Sequence, residues 1–230
     1  MAKANKVLGV IPARMASKRL PQKNIRLFAG KPLIFWTIES ALSSQQIDSI
    51  IVTSDSIEIL ELAASYGEVR THLRSPKSSS DTATSYDYLS EVLLAYQGFD
   101  SIVLLQPTSP LRNQIDIDNA MELHYHKFLP VVSVSENLHS PFWSFEITPE
   151  GALQSLFPES LKMRSQELKQ TYYLNGAIYV DLIENYCNRK TFISANTVPF
   201  FLDDESSVDI DTLEDFDHAE RIMIRRLGNA

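Results

Sequence analysis

The sequence predicts an α/β protein whose mostly parallel sheet is covered by helices on both faces. Continuous apolar runs at 7–12, 49–55 and 101–107 have the length and composition of strands that are buried on both sides. Segments with apolar residues at helical spacing separate these runs, which is typical of successive strand–helix–strand units. We therefore expect a doubly wound, Rossmann-like sheet with ligands beyond the carboxyl ends of its strands.

Residues typical of helix starts and helix ends support the expected helices, taken in chain order. Pro32 suits the first turn of a helix, and Asp55 with Glu58 matches a capping box. Gly67 and Gly98 suit the C-termini of the second and third helices. The expected strands are 7–12, 49–55, 68–73, 101–107, 130–135, 176–180 and 197–202. The expected helices are 32–44, 56–67, 84–98, 116–128 and 213–227.

The length of 230 residues suits a single domain, 1–230, with one interruption. Between 136 and 175 the alternating pattern is lost, and three prolines and a glycine appear. The stretches FWSFEI and ALQSLF could form a hairpin there. We expect 136–175 to be an insertion that serves as a small dimerisation arm, and the protein to be a homodimer.

Composition narrows the class of protein. The formal net charge of -8 argues against a nucleic-acid or membrane-surface binder, because such proteins usually present a basic face. No apolar run approaches the length of a membrane span. The single cysteine, Cys187, cannot form an intrachain disulfide, which fits a reducing cytosol and a cytoplasmic location.

One basic stretch, RMASKRLPQKN (14–24), follows the first strand of this acidic chain. A triphosphate carries about four negative charges, which several cations at a strand end can offset. The small residues Ala13, Ala16 and Ser17 would let backbone N–H groups approach phosphate oxygens. A solvated surface loop is the alternative. The cations are Arg14, Lys18, Arg19 and Lys23.

A pair of aspartates near the C-terminus is the candidate metal site. Asp209 and Asp211 are two residues apart, so on extended backbone both carboxylates point to one face. Two such oxygen ligands suit Mg²⁺, which completes its shell with water and phosphate oxygens. A solvated strand end carrying two acids is the alternative.

Three stretches resemble signatures of the CMP-sialic acid synthetases, the cytidylyltransferases of N-acylneuraminate and other nonulosonic acids. These are IPARMASKRLPQKN (11–24), RSPKSSSDTATS (74–85) and LLQPTSPLR (104–112). The resemblance runs from about residue 7 to 216; Ala16 departs from it, since many members have glycine there. It implies an enzyme that couples CTP to a nonulosonic acid, with Mg²⁺, and releases pyrophosphate.

The resemblance also implies roles for particular residues. It assigns catalytic roles to Arg14, Lys23 and Asp211. It assigns the binding of Mg²⁺ to Asp209 and Asp211. The nucleotide-binding positions are Ala13, Arg14, Ser17, Lys18, Lys23, Asn24, Arg74 and Ser85. The sugar-binding positions are Gln106, Arg164, Asn175, Tyr179 and Phe192.

Some of these positions have other interpretations. Phe192 corresponds to an aromatic that the neighbouring subunit supplies, whereas Tyr179 could equally be plain core packing. Asp81 and Thr82 could cap the helix that follows them. Trp143 stands where sialic-acid members have lysine, which points to a 5,7-diacetamido sugar such as legionaminic or pseudaminic acid.

Three other functions are compatible with parts of this pattern. A cytidylyltransferase for an eight-carbon sugar acid (CMP-KDO type) would share the first loop. A metal-dependent nucleotide-sugar glycosyltransferase also uses a D-x-D pair, but it would release a nucleoside phosphate and not pyrophosphate. A catalytically silent nucleotide-binding protein would have little need for both the basic residues and the paired aspartates.

Overall fold

The computed structural model describes residues 5–16 and 19–228. The strands are β1 (Val7–Ala13), β2 (Leu27–Phe28), β3 (Lys31–Pro32), β4 (Ser49–Ser54), β5 (Arg70–Leu73), β6 (Ser101–Leu104), β7 (Val131–Glu136), β8 (Phe145–Ile147), β9 (Leu153–Ser155), β10 (Tyr172–Leu182) and β11 (Val198–Phe201). The helices are α1 (Leu33–Ser43), α2 (Ile57–Ala64), α3 (Ser85–Ala95), α4 (Gln114–Lys127), α5 (Ile183–Arg189) and α6 (Leu213–Gly228). Within these residues, none of the helices has the length and apolar character that a membrane crossing requires.

A seven-stranded sheet in the order β11-β7-β10-β6-β1-β4-β5 forms the centre of the molecule. β10 runs antiparallel to both of its neighbours, β6 and β7. The other neighbouring pairs in this sheet are parallel. The prediction of a mostly parallel sheet is confirmed, and the carboxyl ends of β1, β4 and β6 lie side by side.

Helices cover both faces of this sheet, as the continuous apolar strands predict. Alternate residues of β1 point to opposite sides. Ile11 packs in one buried cluster with Ile38 of α1, whereas Val10 packs in another with Leu89 of α3. A third cluster joins α6 to the β2–β3 hairpin through Phe28. Burial of apolar residues on both faces therefore holds the strands in place. The candidate site lies at the ends of these strands.

The start of α2 differs from the sequence prediction by one residue. Ser56, not Asp55, caps the helix, and its hydroxyl accepts a hydrogen bond from the amide of Ile59. The Asp55 carboxylate instead accepts a hydrogen bond of 2.9 Å from the amide of Met15. Because Met15 belongs to the basic stretch, Asp55 links the end of β4 to that stretch.

An arm leaves the sheet after β7 and returns at β10. The expected hairpin is present, formed by β8 and β9 in antiparallel register. The irregular part is shorter than the expected 136–175, because Glu136 still belongs to β7 and Tyr172 already begins β10. Large apolar side chains on the arm are exposed, among them Leu138, Ile147 and Leu153. Its role in dimerisation stays a prediction.

Candidate active site

A cleft of about 340 Å³ lies at the carboxyl ends of β1 and β6. It brings together side chains that are almost 200 residues apart in the sequence. Basic, aromatic and acidic groups share one concave surface, which is the composition expected of a site for a phosphorylated ligand. The lining residues are Pro12, Arg14, Ala16, Lys23, Asn24, Arg74, Tyr88, Gln106, Pro107, Thr108 and Asp211.

Lys23 joins the basic stretch to the C-terminal aspartates. Its side chain is buried, with 6% of the residue exposed, and its ammonium donates to the carbonyl of Ile210. The Lys23 Nζ lies 3.4 Å from Asp211 Oδ1, and Arg19 Nη2 lies 2.7 Å from Asp211 Oδ2. A buried ammonium needs such partners, because it has lost most of its water. These contacts hold the two predicted halves of the site together.

The two aspartates lie close enough for the charge of Asp211 to act on Asp209, but Asp211 lines the cleft and Asp209 is not among the lining residues. Ile210 between them is buried, and its amide donates a 2.8 Å hydrogen bond to the carbonyl of Thr108. Partial loss of water raises the pKa of Asp209, and the negative charge of Asp211 acts in the same direction. The hydroxyl of Thr108 and the ammonium of Lys23 oppose this rise in the pKa.

This carboxylate pair is a suitable donor set for Mg²⁺. Two like charges held close together are stabilised by a shared cation, and carboxylate oxygens are the ligands that Mg²⁺ prefers. Nowhere in the described part of the chain do three or more His, Cys, Asp or Glu side chains converge on a possible ion. An ion held by Asp209 and Asp211 would therefore need water and phosphate oxygens to complete its shell.

Arg14 and Asn24 form the floor of the cleft beside β1. Arg14 Nη2 donates to the carbonyls of Ser79 and Ser80 at 3.1 and 3.3 Å, and lies 3.4 Å from Asp81 Oδ1. Asn24 Nδ2 donates to the carbonyl of Arg14 at 2.8 Å. The Asn24 Oδ1 atom is buried and has no hydrogen-bond partner among the described residues. Ala13 is the last residue of β1, buried directly before this floor.

Arg74 and Tyr88 form the opposite wall. The Arg74 guanidinium donates to the hydroxyl and the carbonyl of Thr53 at 3.3 and 3.1 Å, and lies 4.2 Å from the ring centroid of Tyr88. Burial lowers the pKa of Arg74, and nearby Arg14 acts in the same direction. Burial also raises the pKa of Tyr88 to about 12, so its hydroxyl stays protonated. Two guanidinium groups therefore line one cleft, an arrangement that favours phosphate.

Of the two predicted sugar-binding residues Gln106 and Tyr179, Gln106 lines the cleft and Tyr179 is not among the lining residues. Thr108 Oγ1 is 3.5 Å from Gln106 Oε1. Gly176 has φ of 82°, and a Cβ atom there would come within 3.0 Å of Gln106 Oε1, so only glycine leaves the amide its place. Tyr179 is half-buried; burial raises its pKa, and the charge of Asp209 adds to this effect.

Asn175 and Phe192 are not among the residues that line the cleft. Asn175 is 2% exposed; its Oδ1 accepts from the Ser133 hydroxyl at 2.6 Å, and its Nδ2 donates to the Ser135 hydroxyl at 2.9 Å. The irregularity in β10 turns this side chain into the sheet. Phe192 is 5% exposed, and its ring centroid lies 5.5 Å from that of Tyr179. It therefore supports Tyr179 within its own chain and offers little surface to a neighbouring subunit.

Two of the described nucleotide-binding predictions, Ala13 and Ser85, are not among the residues lining the cleft. Ser85 is exposed and begins α3. Ser17 and Lys18 lie outside the described residues. The lining residues that the sequence did not single out are Pro12, Tyr88, Pro107 and Thr108. Pro107 and Thr108 lie inside the quoted stretch 104–112, but Tyr88 has no sequence signal beyond that of an apolar helix position.

Arg164 and Trp143 belong to the arm and lie apart from the cleft. Arg164 is exposed, and its amide donates to Glu167 Oε2 at 2.7 Å. Trp143 Nε1 donates to the carbonyl of Ser160 at 3.2 Å, and its indole lines a second cavity of about 610 Å³ at the base of the arm. His139 and Lys169 also line that cavity.

Known proteins are similar to this chain over most of its length. A family model described as cytidylyltransferase matches residues 8–226. The chain is 40% identical over 225 residues to the CMP-N,N'-diacetyllegionaminic acid synthase of Legionella pneumophila, covering 95% of this chain and 96% of that protein. It is 31% identical over 224 residues to the pseudaminic acid cytidylyltransferase of Campylobacter jejuni, covering 94% of this chain and 95% of that protein.

Two further similarities bear on length and fold. The chain is 38% identical over 216 residues to an N-acylneuraminate cytidylyltransferase of Streptococcus agalactiae, covering 93% of this chain but 52% of that protein. It therefore spans about half the length of that relative. A solved structure of CMP:2-keto-3-deoxy-manno-octonic acid synthetase complexed with CTP superposes with a TM-score of 0.72 at 18% identity, covering 96% and 99% of the two chains. At that identity the likeness concerns the fold alone.

Proposed function

This chain belongs to the cytidylyltransferase family, and we propose that it couples CTP to a nonulosonic acid, giving the CMP-sugar and pyrophosphate. The observation that carries the proposal is the meeting of Arg14, Lys23, Arg74 and Asp211 in one cleft at the carboxyl ends of the strands. Cations for a triphosphate and carboxylates for its ion are what nucleotidyl transfer needs. The proposed place of the reaction is the cytoplasm, in keeping with the CTP requirement.

The reaction is an in-line displacement at the α-phosphorus. The oxygen of the sugar's anomeric hydroxyl forms a bond to that phosphorus and loses its proton to solvent, while the bond to the bridging oxygen breaks and pyrophosphate leaves. Arg14 and Lys23 offset the negative charge on the phosphates and on the leaving group. Gln106 holds the sugar acid on the other side of the cleft. Positioning and electrostatics supply the acceleration, without a covalent protein intermediate.

Asp209 and Asp211 would hold Mg²⁺ together with the phosphates. When bound, that ion polarises the α-phosphate and offsets charge in the transition state. Lys23 and Arg19 hold Asp211 in place through its two carboxylate oxygens. The Thr108 carbonyl fixes the backbone between the two aspartates.

The proposed sugar is a 5,7-diacetamido acid, and the proposed assembly is a homodimer. Trp143 in place of the usual lysine and the 40% identity to a diacetyllegionaminic acid synthase both favour this sugar. Exposed apolar residues on the arm favour contact with a second copy of the chain. Arg164 faces solvent on that arm, so a role for it in binding the sugar carboxylate would require the arm to move or to meet another subunit.

The test is pyrophosphate release from CTP with Mg²⁺ and a panel of acceptors. Diacetyllegionaminic, pseudaminic and N-acetylneuraminic acids and the eight-carbon acid KDO would be compared by kcat/KM. We expect the diacetamido acids to be used best. Preference for KDO would favour the eight-carbon alternative. Release of a nucleoside phosphate from a nucleotide-sugar, without pyrophosphate from CTP, would favour the glycosyltransferase.

Asp211→Asn tests the metal role within the same assay. We expect turnover to fall by about 100-fold or more, because a neutral amide is a weaker ligand for a hard cation and a weaker partner for Lys23. Asp217→Asn is the matched control, since Asp217 is exposed on α6 outside the cleft. Unchanged turnover in Asp211→Asn would remove the metal role.

A further inference from the structure

We propose that Glu91 of α3 is a positioning residue for the nucleotide site. It acts through the serine turn, defined here as Ser75–Ser80, which holds Arg14 and directly follows Arg74. The inference rests on the proposed function, since it assumes that these two arginines meet CTP. Glu91 does not line the cleft, and no part of the sequence motifs includes it.

Glu91 fastens the beginning of the serine turn. Its carboxylate accepts hydrogen bonds from the amide of Ser75 at 3.1 Å, from the Ser75 hydroxyl, and from the Ser78 hydroxyl at 2.7 Å. Burial acts to raise the pKa of Glu91, but these bonds and the nearby His72 hold that pKa below its usual value. The carboxylate is therefore charged at neutral pH, and charge-assisted bonds of this kind are the strong ones.

The turn passes this constraint on to Arg14. Ser78 is buried, and the amide of Ser79 donates to the carbonyl of Ser75 at 3.1 Å. The carbonyls of Ser79 and Ser80 then point at the Arg14 guanidinium and accept its hydrogen bonds. The hydrogen bonds that close the turn at Ser75 therefore set the orientation of these two carbonyls.

The same face of α3 also holds Arg74. Tyr88 lies three residues before Glu91, a spacing that places two side chains on one side of a helix. The Tyr88 ring lies under the Arg74 guanidinium, and the amide of Arg74 donates to the carbonyl of Ser54 at 2.9 Å. One helix face thus supports both arginines, Arg74 through an aromatic ring and Arg14 through the serine turn.

Glu91→Ala and Glu91→Gln separate positioning from stability. Loss of the carboxylate should raise the KM for CTP by about 10-fold, the loss expected for charged hydrogen bonds, while kcat changes by less than about threefold. The KM for the sugar acid should not change. Gln keeps one oxygen acceptor and should show a smaller effect. If Glu91→Ala does not fold, Glu91→Gln carries the test.

Asp87→Asn is the matched control on the same helix. Asp87 accepts from the amide and the hydroxyl of Thr84 at 2.7 and 2.8 Å, and so caps α3 without contacting the serine turn. The substitution should lower the thermal unfolding temperature and leave the KM for CTP unchanged. A rise in KM in this control as large as in Glu91→Ala would assign the effect to helix stability and overturn the proposal.

A double variant gives the decisive comparison. In an Arg14→Ala background, Glu91→Ala should lose most of its effect on the KM for CTP, because the group it positions is absent. Full additivity, or an unchanged KM in Glu91→Ala alone, would overturn the proposal. Failure of the proposed function would look different: the wild-type protein would release no pyrophosphate from CTP. Calorimetric measurement of CTP binding by the wild type, the Arg14→Ala and Glu91→Ala variants and the double variant would then test the positioning role without turnover.

Discussion

The nucleotide half and the sugar half of this molecule are built in different ways. In the nucleotide half, contacts join segments from β1, β4, α3 and the C-terminal aspartates. Lys23 is buried where the basic stretch meets the segment that carries these aspartates. In the sugar half, Gln106 lines the cleft with Tyr179 behind it, but Arg164 and Trp143 lie on an arm outside it. The proposed CTP site is therefore built by elements of one chain, whereas the residues proposed for the sugar lie in separate places.

This difference follows from the charges involved. Arg14, Lys23 and Arg74 each donate to a backbone carbonyl, because cations held close together need acceptors that offset their charge. The arm instead exposes large apolar side chains, and such patches are typical of contact surfaces.

The largest effect is expected for Lys23→Met, which breaks the centre of the nucleotide half. The kcat/KM for CTP should fall by about 100-fold or more, because a buried cation at the phosphates is lost. The thermal unfolding temperature should also fall, since the carbonyl of Ile210 loses its donor. Lys162→Met on the arm is the control and should leave both quantities unchanged. A change of less than about threefold in Lys23→Met would contradict the assignment.

Arg14→Ala and Arg164→Ala compare the two halves directly. Arg14→Ala should raise the dissociation constant for CTP by about 10-fold, the loss expected for one charged contact. Arg164→Ala should leave CTP binding unchanged, because Arg164 does not line the cleft. Calorimetric titration with CTP measures both. Equal losses of CTP affinity in the two variants would mean that the arm also contributes to CTP binding.

Trp143→Lys sharpens the comparison on the sugar side. Replacing an indole by an ammonium group should lower the preference for diacetamido sugars over N-acetylneuraminic acid by about fivefold, since an apolar contact surface is lost. The KM for CTP should not change. Trp143→Phe keeps an aromatic ring and serves as the control. If the kcat/KM ratio stays constant in Trp143→Lys, the cavity at the base of the arm has no part in sugar choice.

The smallest effect concerns the stability cost of the carboxylate pair. The pKa of Asp209 is raised above its unfolded value of 3.8, so the folded state binds this proton more tightly than the unfolded state. Stability is therefore lost as pH rises through the window between the unfolded and folded pKa values. Asp209→Asn should raise the unfolding temperature at pH 7 by about 1–3 °C and lose this advantage below pH 3.8. A lower unfolding temperature at pH 7 would contradict the direction of the shift.

Sequence reasoning singled out several residues that line the cleft, because their charge pattern is local. Arg14 and Lys23 stand out in an acidic chain, and the spacing of Asp209 and Asp211 already places both carboxylates on one face. Glu91 could not be found in this way, because it looks like any acidic helix residue until the serine turn is folded against it. The turn begins 16 residues earlier in the chain.

The surroundings of Asn175 and Phe192 likewise depend on tertiary contacts. Each lies at the position that the resemblance indicates, but the direction of its side chain depends on neighbouring elements. Ser133 and Ser135 of β7 take both polar ends of Asn175. Phe192 is enclosed by Tyr179 and by Tyr186, whose ring centroid lies 4.4 Å away.

By itself, the sequence determined the sheet, the helices that cover it, and the basic stretch and paired aspartates at its strand ends. Those features follow from apolar periodicity and local charge, which act between residues close together in the chain. Only the tertiary structure decided that Lys23 is buried against Ile210 and Asp211, that α3 supports both arginines, and that the arm lies apart from the cleft. Such contacts join distant segments, and whether a polar side chain binds a ligand or a neighbouring strand depends on which of the two it can reach.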